Sequence, residues 1–309
     1  MKVSICCITH NHGRYIAAAL DSFLAQQVTF DYEVIIGEDC SSDDTLAVIN
    51  AYKSVPGRQI QVIHHTRNIG MMENFMTTLK ACRGEYIAFC EGDDYWTDPY
   101  KLAKQVDFLD KNRDYCLTYH NCLNLLPGGT LELNDLLPKH DHSFDIESLE
   151  VDWFMPTMSV VFRNTPDLYF PQWLLQATIG DLPFFLLYAR SGKIRYFSEA
   201  MGAYRIHAAG SWSSRNEVAK IEALLFVLNH LEQEDFSEKV IRYLKTIRTH
   251  SLAKAFTYVL FRGTTHEYRD FIQHPEYGYS HYQKQPRVLL QIRYLKKSKV
   301  FKRLFKRWR

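Results

Sequence analysis

The sequence predicts an α/β fold, a doubly wound and mostly parallel sheet with helices on both faces, plus a helical C-terminal extension. Apolar, β-branched runs alternate with helical patterns over the first 100 residues or so, and helical periodicity returns from about residue 216. Alternation of this kind is typical of βαβ units and a parallel sheet. At 309 residues the chain is long enough for one large domain with an appendage.

Four short apolar runs in the first 90 residues predict four buried strands. Runs rich in Val and Ile are typical of strands that are covered on both faces. The runs are VSICCIT (3–9), YEVIIGED (32–39), IQVIHH (60–65) and EYIAFC (85–90). Helices are predicted between them, at 15–27, at 41–52 with serine and aspartate in capping positions, and from Met71 to Cys82 before Gly84.

The later chain is less regular. MPTMSVVFR (155–163) is predicted as a strand, and the Gly/Pro-rich segment 125–143 as an irregular surface loop. A helix is predicted to begin at Asp181. Two further helices are expected within 217–233 and 237–261, packed as a hairpin.

Composition excludes several classes of protein. With 46% hydrophobic and 23% charged residues, the chain is an ordinary globular one. Its seven cysteines form no CxxC pair, which favours a reducing cytosol over a disulfide framework. No run approaches the roughly 18 apolar residues of a membrane span, and the N-terminal apolar stretch is too short for a signal peptide. We therefore expect a cytoplasmic protein, soluble or peripheral.

Polar residues follow the four predicted strands, where ligands of doubly wound sheets bind. They are Thr9, His10 and Asn11; Glu38 and Asp39; Arg67 and Asn68; and Glu91, Asp93 and Asp94. Neighbouring carboxylates repel one another unless a cation lies between them. An acidic crevice that binds phosphates needs such a cation, and carboxylates suit Mg²⁺ or Mn²⁺. The residues alone therefore predict a metal–nucleotide site.

Five segments together resemble, in order, family 2 glycosyltransferases of the GT-A fold, of the bacterial cell-surface polysaccharide type. They are VSICCITHNHGRYIAAALDSFLAQ, YEVIIGEDCSSDDT, RNIGMMENF, GEYIAFCEGDDYWTDPYKL and GDLPFFLLYARSGKIRYFSEAMGAYRIH. The resemblance covers about residues 1–212 and implies a nucleotide-sugar-binding catalytic domain there. A helical extension at 213–286 and a basic amphipathic tail at 287–309 are expected to follow.

The resemblance assigns a cation site to EGDDYW (91–96), which stands where the family carries its DXD element. It implies that Asp93 and Asp94 hold Mn²⁺ or Mg²⁺ and that Glu91 and Asp93 face the donor, although Asp is more usual in the family at position 91. A histidine at position 207 is implied to reach the metal or the pyrophosphate, and Arg205 to neutralise phosphate charge. The plainer alternative is an acidic turn that caps the next helix.

The nucleobase is implied to bind at Asp39, between Thr9 and Asn11, with Arg67 and Asn68 also on the donor side. The plainer alternative for Asp39 is a helix-capping turn, because SSDDT follows it directly.

Asp181 is implied to be the general base, since a hydroxyl is a poor nucleophile until a carboxylate takes its proton. The alternative for Asp181 is a helix N-cap.

The expected activity is transfer of a sugar from a nucleotide-sugar, a UDP-sugar, to a saccharide or lipid-linked saccharide hydroxyl, with inversion, in cell-surface polysaccharide or glycolipid synthesis. One alternative is a nucleotidyltransferase, which would want a glycine-rich loop after the first strand, where THNHGR offers one glycine. Another is a catalytically silent, membrane-associated scaffold. The letters HNH (10–12) name a nuclease motif, but no zinc-ligand pattern accompanies them, so no nucleic-acid partner is expected.

The charge of the chain is unevenly distributed: the net charge is only +2, but the C-terminal tail is strongly basic. Residues 287–309 carry ten Lys and Arg and no acid, which leaves 27 basic against 35 acidic residues, about −8, in the rest. On a helical wheel one face of the tail is apolar (Val300, Phe301, Leu304, Phe305, Trp308) and the other basic (Lys302, Arg303, Lys306, Arg307, Arg309). The pattern indicates an interfacial helix on anionic lipid at the inner face of the membrane. A helix docked on the acidic body, or a disordered end, stays the alternative.

Overall fold

The computed structural model describes residues 1–57, 59–149, 155–165, 170–208, 210 and 215–261, with side chains as far as residue 252. The predicted tail at 287–309 lies outside these residues. The chain divides into two compact units, Met1–Ser213 and Ser214–Arg309.

The described strands of the first unit join one sheet with helices around it, as predicted. The strands are β1 (Val3–Thr9), β2 (Tyr32–Glu38), β3 (Ile60–His64), β4 (Tyr86–Phe89), β5 (Tyr95–Trp96), β6 (Tyr115–Leu125), β7 (Leu131–Leu133), β8 (His142–Phe144), β9 (Val161–Arg163) and β10 (Lys193–Arg205). The helices are α1 (Ile16–Leu24), α2 (Thr45–Lys53), α3 (Met71–Ala81), α4 (Lys101–Lys111) and α5 (Asp181–Tyr188).

The strand order is β3-β2-β1-β4-β9-β6-β10-β5, with β7 added to β6 and β8 added to β10. β1 to β4 are parallel, β9 is antiparallel to both β4 and β6, and β10 is parallel to β6. Thr9 pairs with Glu38 at the end of β1 and β2. The loops after β1, β2 and β4 therefore leave the sheet at the same edge, as the sequence predicted.

Both faces of the sheet are buried, which explains why β1 reads as a continuous apolar run. Ile5 and Cys7 belong to a core cluster with residues of α1 such as Phe23. Cys6, which points the other way, belongs to a second cluster with Leu79 of α3 and Phe184 of α5. Side chains alternate across a strand, so one heptapeptide contributes to both cores.

Two local expectations need correction. The predicted strand 155–163 begins as a 3-10 helix at Thr157–Ser159, because Ser159 turns back and donates from its Oγ to the Pro156 carbonyl oxygen at 2.6 Å. Only Val161–Arg163 is a strand. The predicted irregular loop 125–143 contains β7, and β8 begins at its end.

The second unit begins with two helices that pack together, α6 (Glu217–Leu231) and α7 (Glu238–Phe261), which confirms the predicted C-terminal helices. Asn216 caps α6, because its Oδ1 accepts a hydrogen bond from the Ala219 amide at 2.8 Å. In the part of the chain that the structure describes, no helix is both long enough and apolar enough to cross a membrane.

Candidate active site

The acidic loop that follows β4 is held against the end of β1. The Gly92 amide donates to the Ile8 carbonyl oxygen at 3.0 Å, and the Cys90 amide to that of Cys6 at 3.2 Å. A Cβ on Gly92 would lie only 2.6 Å from Thr9 Oγ1, so a side chain there would collide with β1. The loop therefore carries its carboxylates at a fixed position beside the predicted nucleotide side of the sheet.

β10 brings a basic residue and a histidine to this loop. His207 Nε2 lies 2.9 Å from Asp93 Oδ2. The Arg205 amide donates to Asp94 Oδ1 at 2.8 Å, and its Nε donates to the Asp93 carbonyl oxygen at 2.8 Å. These contacts follow from the antiparallel pairing of β10 with β5, in which Ala203 is opposite Tyr95. The structure thus brings Asp93, Asp94, Arg205 and His207 together.

Aromatic rings from the β1–α1 loop and β5 enclose Arg205. Its guanidinium lies 4.6 Å from the ring centroid of Tyr15 and 5.7 Å from that of Tyr95, both within cation–π range. The Tyr15 ring is also 5.0 Å from the His207 ring. Arg205 is therefore fixed by stacking and by its contacts with the acidic loop, and contact with phosphate remains a prediction for it.

Two of the three carboxylates of the acidic loop, Glu91 and Asp94, have raised pKa values, although the charge of Arg205 acts to lower the pKa of Asp94. Burial and the charge of Asp93 raise the pKa of Glu91 to about 8 and hold the pKa of Asp94 well above its usual range. Burial also acts to raise the pKa of Asp93, but the hydrogen bond with His207 and the charge of His12 outweigh it, so that this pKa is lowered. A cation at the loop would relieve the repulsion that remains.

The donor atoms at this loop fit a divalent cation. Carboxylate oxygens and a neutral imidazole nitrogen are ordinary ligands of such ions. Glu91 Oε2 is buried and has no hydrogen-bond partner among the described residues, which indicates a missing polar neighbour. No three His, Cys, Asp or Glu side chains of the described chain are already arranged around a metal position.

Asp181 begins α5 and is not its N-cap, a position that Gly180 occupies. The Leu182 amide donates to Asp181 Oδ1 at 2.8 Å, so the carboxylate is held at the first turn. Burial raises the pKa of Asp181, and the charge of Asp181 contributes to the raised pKa of Glu91. The predicted base and the acidic loop are therefore electrostatic neighbours.

Asp39 contacts the loop that precedes α3. Its buried carboxylate accepts the Ile69 amide on Oδ1 at 2.7 Å and the Gly70 amide on Oδ2 at 3.0 Å. Asn68 lies nearby, with Nδ2 3.4 Å from the Asp39 carbonyl oxygen. The N-cap of helix α2 is Asp44, and the Thr45 amide in its first turn donates to Asp43 Oδ1 at 3.0 Å, so Asp39 has no part in this helix start. The capping alternative for Asp39 is therefore wrong.

The other predicted nucleotide-side residues differ in setting. Thr9 is buried, and its Oγ1 has no hydrogen-bond partner in the described chain. Asn11 has a positive φ of 57°, and its Oδ1 accepts the Ser42 amide at 2.8 Å, so it shapes the turn after β1. Arg67 is exposed.

His12 is a site residue that the sequence prediction missed. Its Nε2 lies 3.7 Å from Asp93 Oδ2, and its ring centroid is 6.3 Å from that of His207. Burial lowers the pKa of His12. The signal that selected Asn11, a polar residue directly after a buried strand, applies equally to His12.

The chain is similar to known proteins over much of its length. Residues 4–149 match the family model described as glycosyl transferase family 2. An uncharacterized protein of Mycobacterium tuberculosis is 36% identical over 214 residues, which are 69% of this chain and 61% of that protein. The match therefore spans less than two thirds of that relative. A putative teichuronic acid biosynthesis glycosyltransferase of Bacillus subtilis is 26% identical over 242 residues, 76% of this chain and 90% of that one.

Solved structures share the fold. S. aureus TarS 1–349 in complex with UDP-GlcNAc superposes with a TM-score of 0.69 at 19% identity, covering 88% of this chain and 79% of that one. The mannosyltransferase PcManGT from Pyrobaculum calidifontis, in complex with GDP-Man and Mn²⁺, gives 0.58 at 13% identity, covering 87% and 77%. The predicted fold class and family resemblance are confirmed.

Proposed function

We propose that the protein moves a sugar from a nucleotide-sugar to an acceptor hydroxyl, because residues 4–149 match the family model described as glycosyl transferase family 2 and the sheet has the GT-A fold. The acceptor is a saccharide or lipid-linked saccharide in cell-surface polysaccharide or glycolipid synthesis. One observation carries the proposal, namely the contact of the acidic loop with Arg205 and His207 near the half-buried carboxylate of Asp181.

The donor is a UDP-sugar, which a structural neighbour solved with UDP-GlcNAc supports. Asp39 accepts a hydrogen bond from the nucleobase, with Thr9 and Asn11 at its edges and Arg67 and Asn68 on the same side. The Asp39 oxygens each accept one backbone amide. A carboxylate oxygen has a second lone pair, so these contacts leave capacity for a nucleobase N–H.

The cation is Mn²⁺ or Mg²⁺, held by Asp93, Asp94 and His207. When bound, it supplies positive charge to the diphosphate that leaves the sugar. Glu91 and Asp93 face the donor, and the stacked Arg205 holds the acidic loop in place through its bonds to Asp93 and Asp94. The raised pKa values of Glu91 and Asp94 support a site built for a positive ion.

Asp181 takes the proton of the acceptor hydroxyl as that oxygen attacks the anomeric carbon. A single displacement of this kind inverts the configuration of the sugar. Burial raises the pKa of Asp181, which makes it a better proton acceptor than an exposed aspartate. Its place in the first turn of α5 keeps the carboxylate oriented by the Leu182 amide.

The protein acts in the cytoplasm, peripheral on the inner face of the membrane, through the basic tail of residues 287–309. The support for this part of the proposal is the amphipathic sequence of the tail. Attachment there would bring the crevice close to a lipid-linked acceptor.

A donor-hydrolysis assay tests the proposed function. The full chain is incubated with a panel of UDP- and GDP-sugars and Mn²⁺, without acceptor, and free nucleotide is measured. We expect slow release of UDP from one UDP-sugar. Turnover only when pyrophosphate or a sugar phosphate is added would indicate a nucleotidyltransferase, and no turnover of any donor, with or without acceptor extracts, would indicate a scaffold.

A further inference from the structure

His12 is fixed at the point where β1 passes into α1. Its carbonyl oxygen accepts the amides of Tyr15 and Ile16, each at 2.8 Å, so the backbone of His12 forms the first turn before the helix. Its side chain is 19% exposed and packs beside Tyr15 and His207. The imidazole therefore has little freedom to leave the acidic loop.

Two imidazoles approach the same carboxylate oxygen. Asp93 Oδ2 is 2.9 Å from His207 Nε2 and 3.7 Å from His12 Nε2. The first distance is that of a hydrogen bond, whereas the second is too long for one. His12 Nε2 and Asp93 Oδ2 therefore face each other without a hydrogen bond between them.

That gap is of a size that a cation can bridge. Ligand atoms each about 2.1 Å from one divalent ion are at most about 4.2 Å apart, and about 3 Å apart when they meet at a right angle. Both nitrogen–oxygen separations at Asp93 fall within this limit. The other nitrogen of His12, Nδ1, is buried without a hydrogen-bond partner in the described chain. No hydrogen bond of Nδ1 therefore holds the ring in an orientation that would turn Nε2 away from a cation.

We propose that His12 is a further ligand of the divalent cation and gives the site a preference for Mn²⁺ over Mg²⁺. The inference rests on the proposed function, in which Asp93, Asp94 and His207 hold that cation. Mg²⁺ demands oxygen ligands and keeps much of its water, whereas imidazole nitrogen suits transition-metal ions. A second imidazole therefore shifts the donor set of this chain away from Mg²⁺.

Metal affinities of the full chain test the proposal independently of catalysis. Binding of Mn²⁺ and of Mg²⁺, each with saturating UDP, is measured by isothermal titration calorimetry for the wild type, His12→Ala and His12→Asn. Mutation of an outer-shell partner of a metal ligand already costs about 10- to 100-fold in affinity, so loss of a direct ligand in His12→Ala should cost at least about tenfold for Mn²⁺ and much less for Mg²⁺. His12→Asn, which offers an amide oxygen, should lower the ratio of Mn²⁺ to Mg²⁺ affinity while preserving Mg²⁺ binding.

His140→Ala is the matched control, because it removes an exposed imidazole remote in sequence from the acidic loop. It should leave both affinities unchanged. Equal losses for the two ions in His12→Ala and His12→Asn would make His12 a packing residue, and an unchanged Mn²⁺ affinity would remove it from the site. Either result overturns the inference. UDP release by the wild type is measured separately, so a failure of the proposed function is distinguishable.

Discussion

His207 Nε2 lies 2.9 Å from Asp93 Oδ2, although the two residues are 114 positions apart in the chain. The pairing of β10 with β5 produces this contact, because β5 begins directly after the acidic loop and β10 ends two residues before His207. The acidic loop therefore depends on a strand that is distant in sequence for its conformation and for the basic groups that contact it.

Removal of the cation should abolish donor turnover. EDTA should stop UDP release, and Asp93→Asn should nearly stop it, because the amide lacks the charge that holds the cation and pairs with His207. Asp107→Asn is the control, since Asp107 is an exposed residue in a surface pair with Lys111 and should keep full activity. Unchanged UDP release in EDTA would show that the acidic loop holds no essential metal.

Asp181→Asn should separate donor binding from transfer. The amide oxygen can still accept the Leu182 amide, so α5 should keep its first turn, but it cannot take a proton. We expect UDP-sugar affinity close to that of the wild type and a loss of transfer rate of about 10²–10⁴-fold. Asp114→Asn, which breaks only a surface pair with Lys193, is the matched control. If the Asp181 variant transfers sugar at the normal rate, the base lies elsewhere.

A buried lysine at the start of α4 predicts a pH dependence of stability. Lys101 is fully buried, donates to Gln105 Oε1 at 2.8 Å and lies 4.3 Å from the Trp96 ring centroid. Burial lowers the pKa of Lys101 from 10.5 to about 7. Between these two values the unfolded chain binds the proton and the folded chain does not. The free energy of unfolding should therefore rise with pH across that window.

Lys101→Met should remove this rise. One group contributes at most about 1.4 kcal/mol per pH unit, so wild type and variant should diverge by roughly that slope between about pH 7.5 and about pH 9.5 in urea unfolding. The slope is the measurement, because the variant also leaves Gln105 Oε1 without its donor. Lys111→Met, at an exposed position, should follow the wild-type profile. Parallel profiles for Lys101→Met and wild type would mean that Lys101 stays protonated in the fold.

The parallel half of the sheet could be predicted from sequence because its strands are buried on both faces and therefore uniformly apolar. The long strand β6 is not predictable in this way, because polar residues lie within it. β6 carries buried Thr118, His120 and Asn121, whose polarity interrupts the apolar pattern. Gln105 donates to Thr118 Oγ1 at 3.0 Å, a partner supplied by another element of the fold. A sequence pattern shows the polarity of a residue but not the partner that permits its burial.

Site residues were predictable where they follow a strand and less so where tertiary contacts decide their role. The position of Asp93 and Asp94 directly after β4 predicts them as site residues, and in the structure they lie beside Arg205 and His207. The sequence could not indicate that Asn11 would adopt a positive φ and bond to Ser42, or that His12 would face Asp93. Those outcomes depend on loops that fold against one another across the sheet edge.

The basic tail gives the last prediction, which concerns membrane attachment. Anionic lipid attracts such a segment by roughly 1 kcal/mol per nearby Lys or Arg, and insertion of the aromatic face adds apolar burial. A chain that ends at Pro286 should therefore release UDP from its donor at the wild-type rate but no longer sediment with anionic liposomes.

A second variant separates lipid insertion from charge attraction in this tail. The full chain with Phe301, Phe305 and Trp308 changed to Ser keeps all ten basic residues of 287–309. It should sediment with anionic liposomes at low salt and lose most of that binding at physiological salt, where screening weakens the remaining attraction. The wild type should stay bound at both, because burial of its aromatic face does not depend on salt. Equal sedimentation of the wild type and the chain ending at Pro286 would mean that the tail is not the anchor.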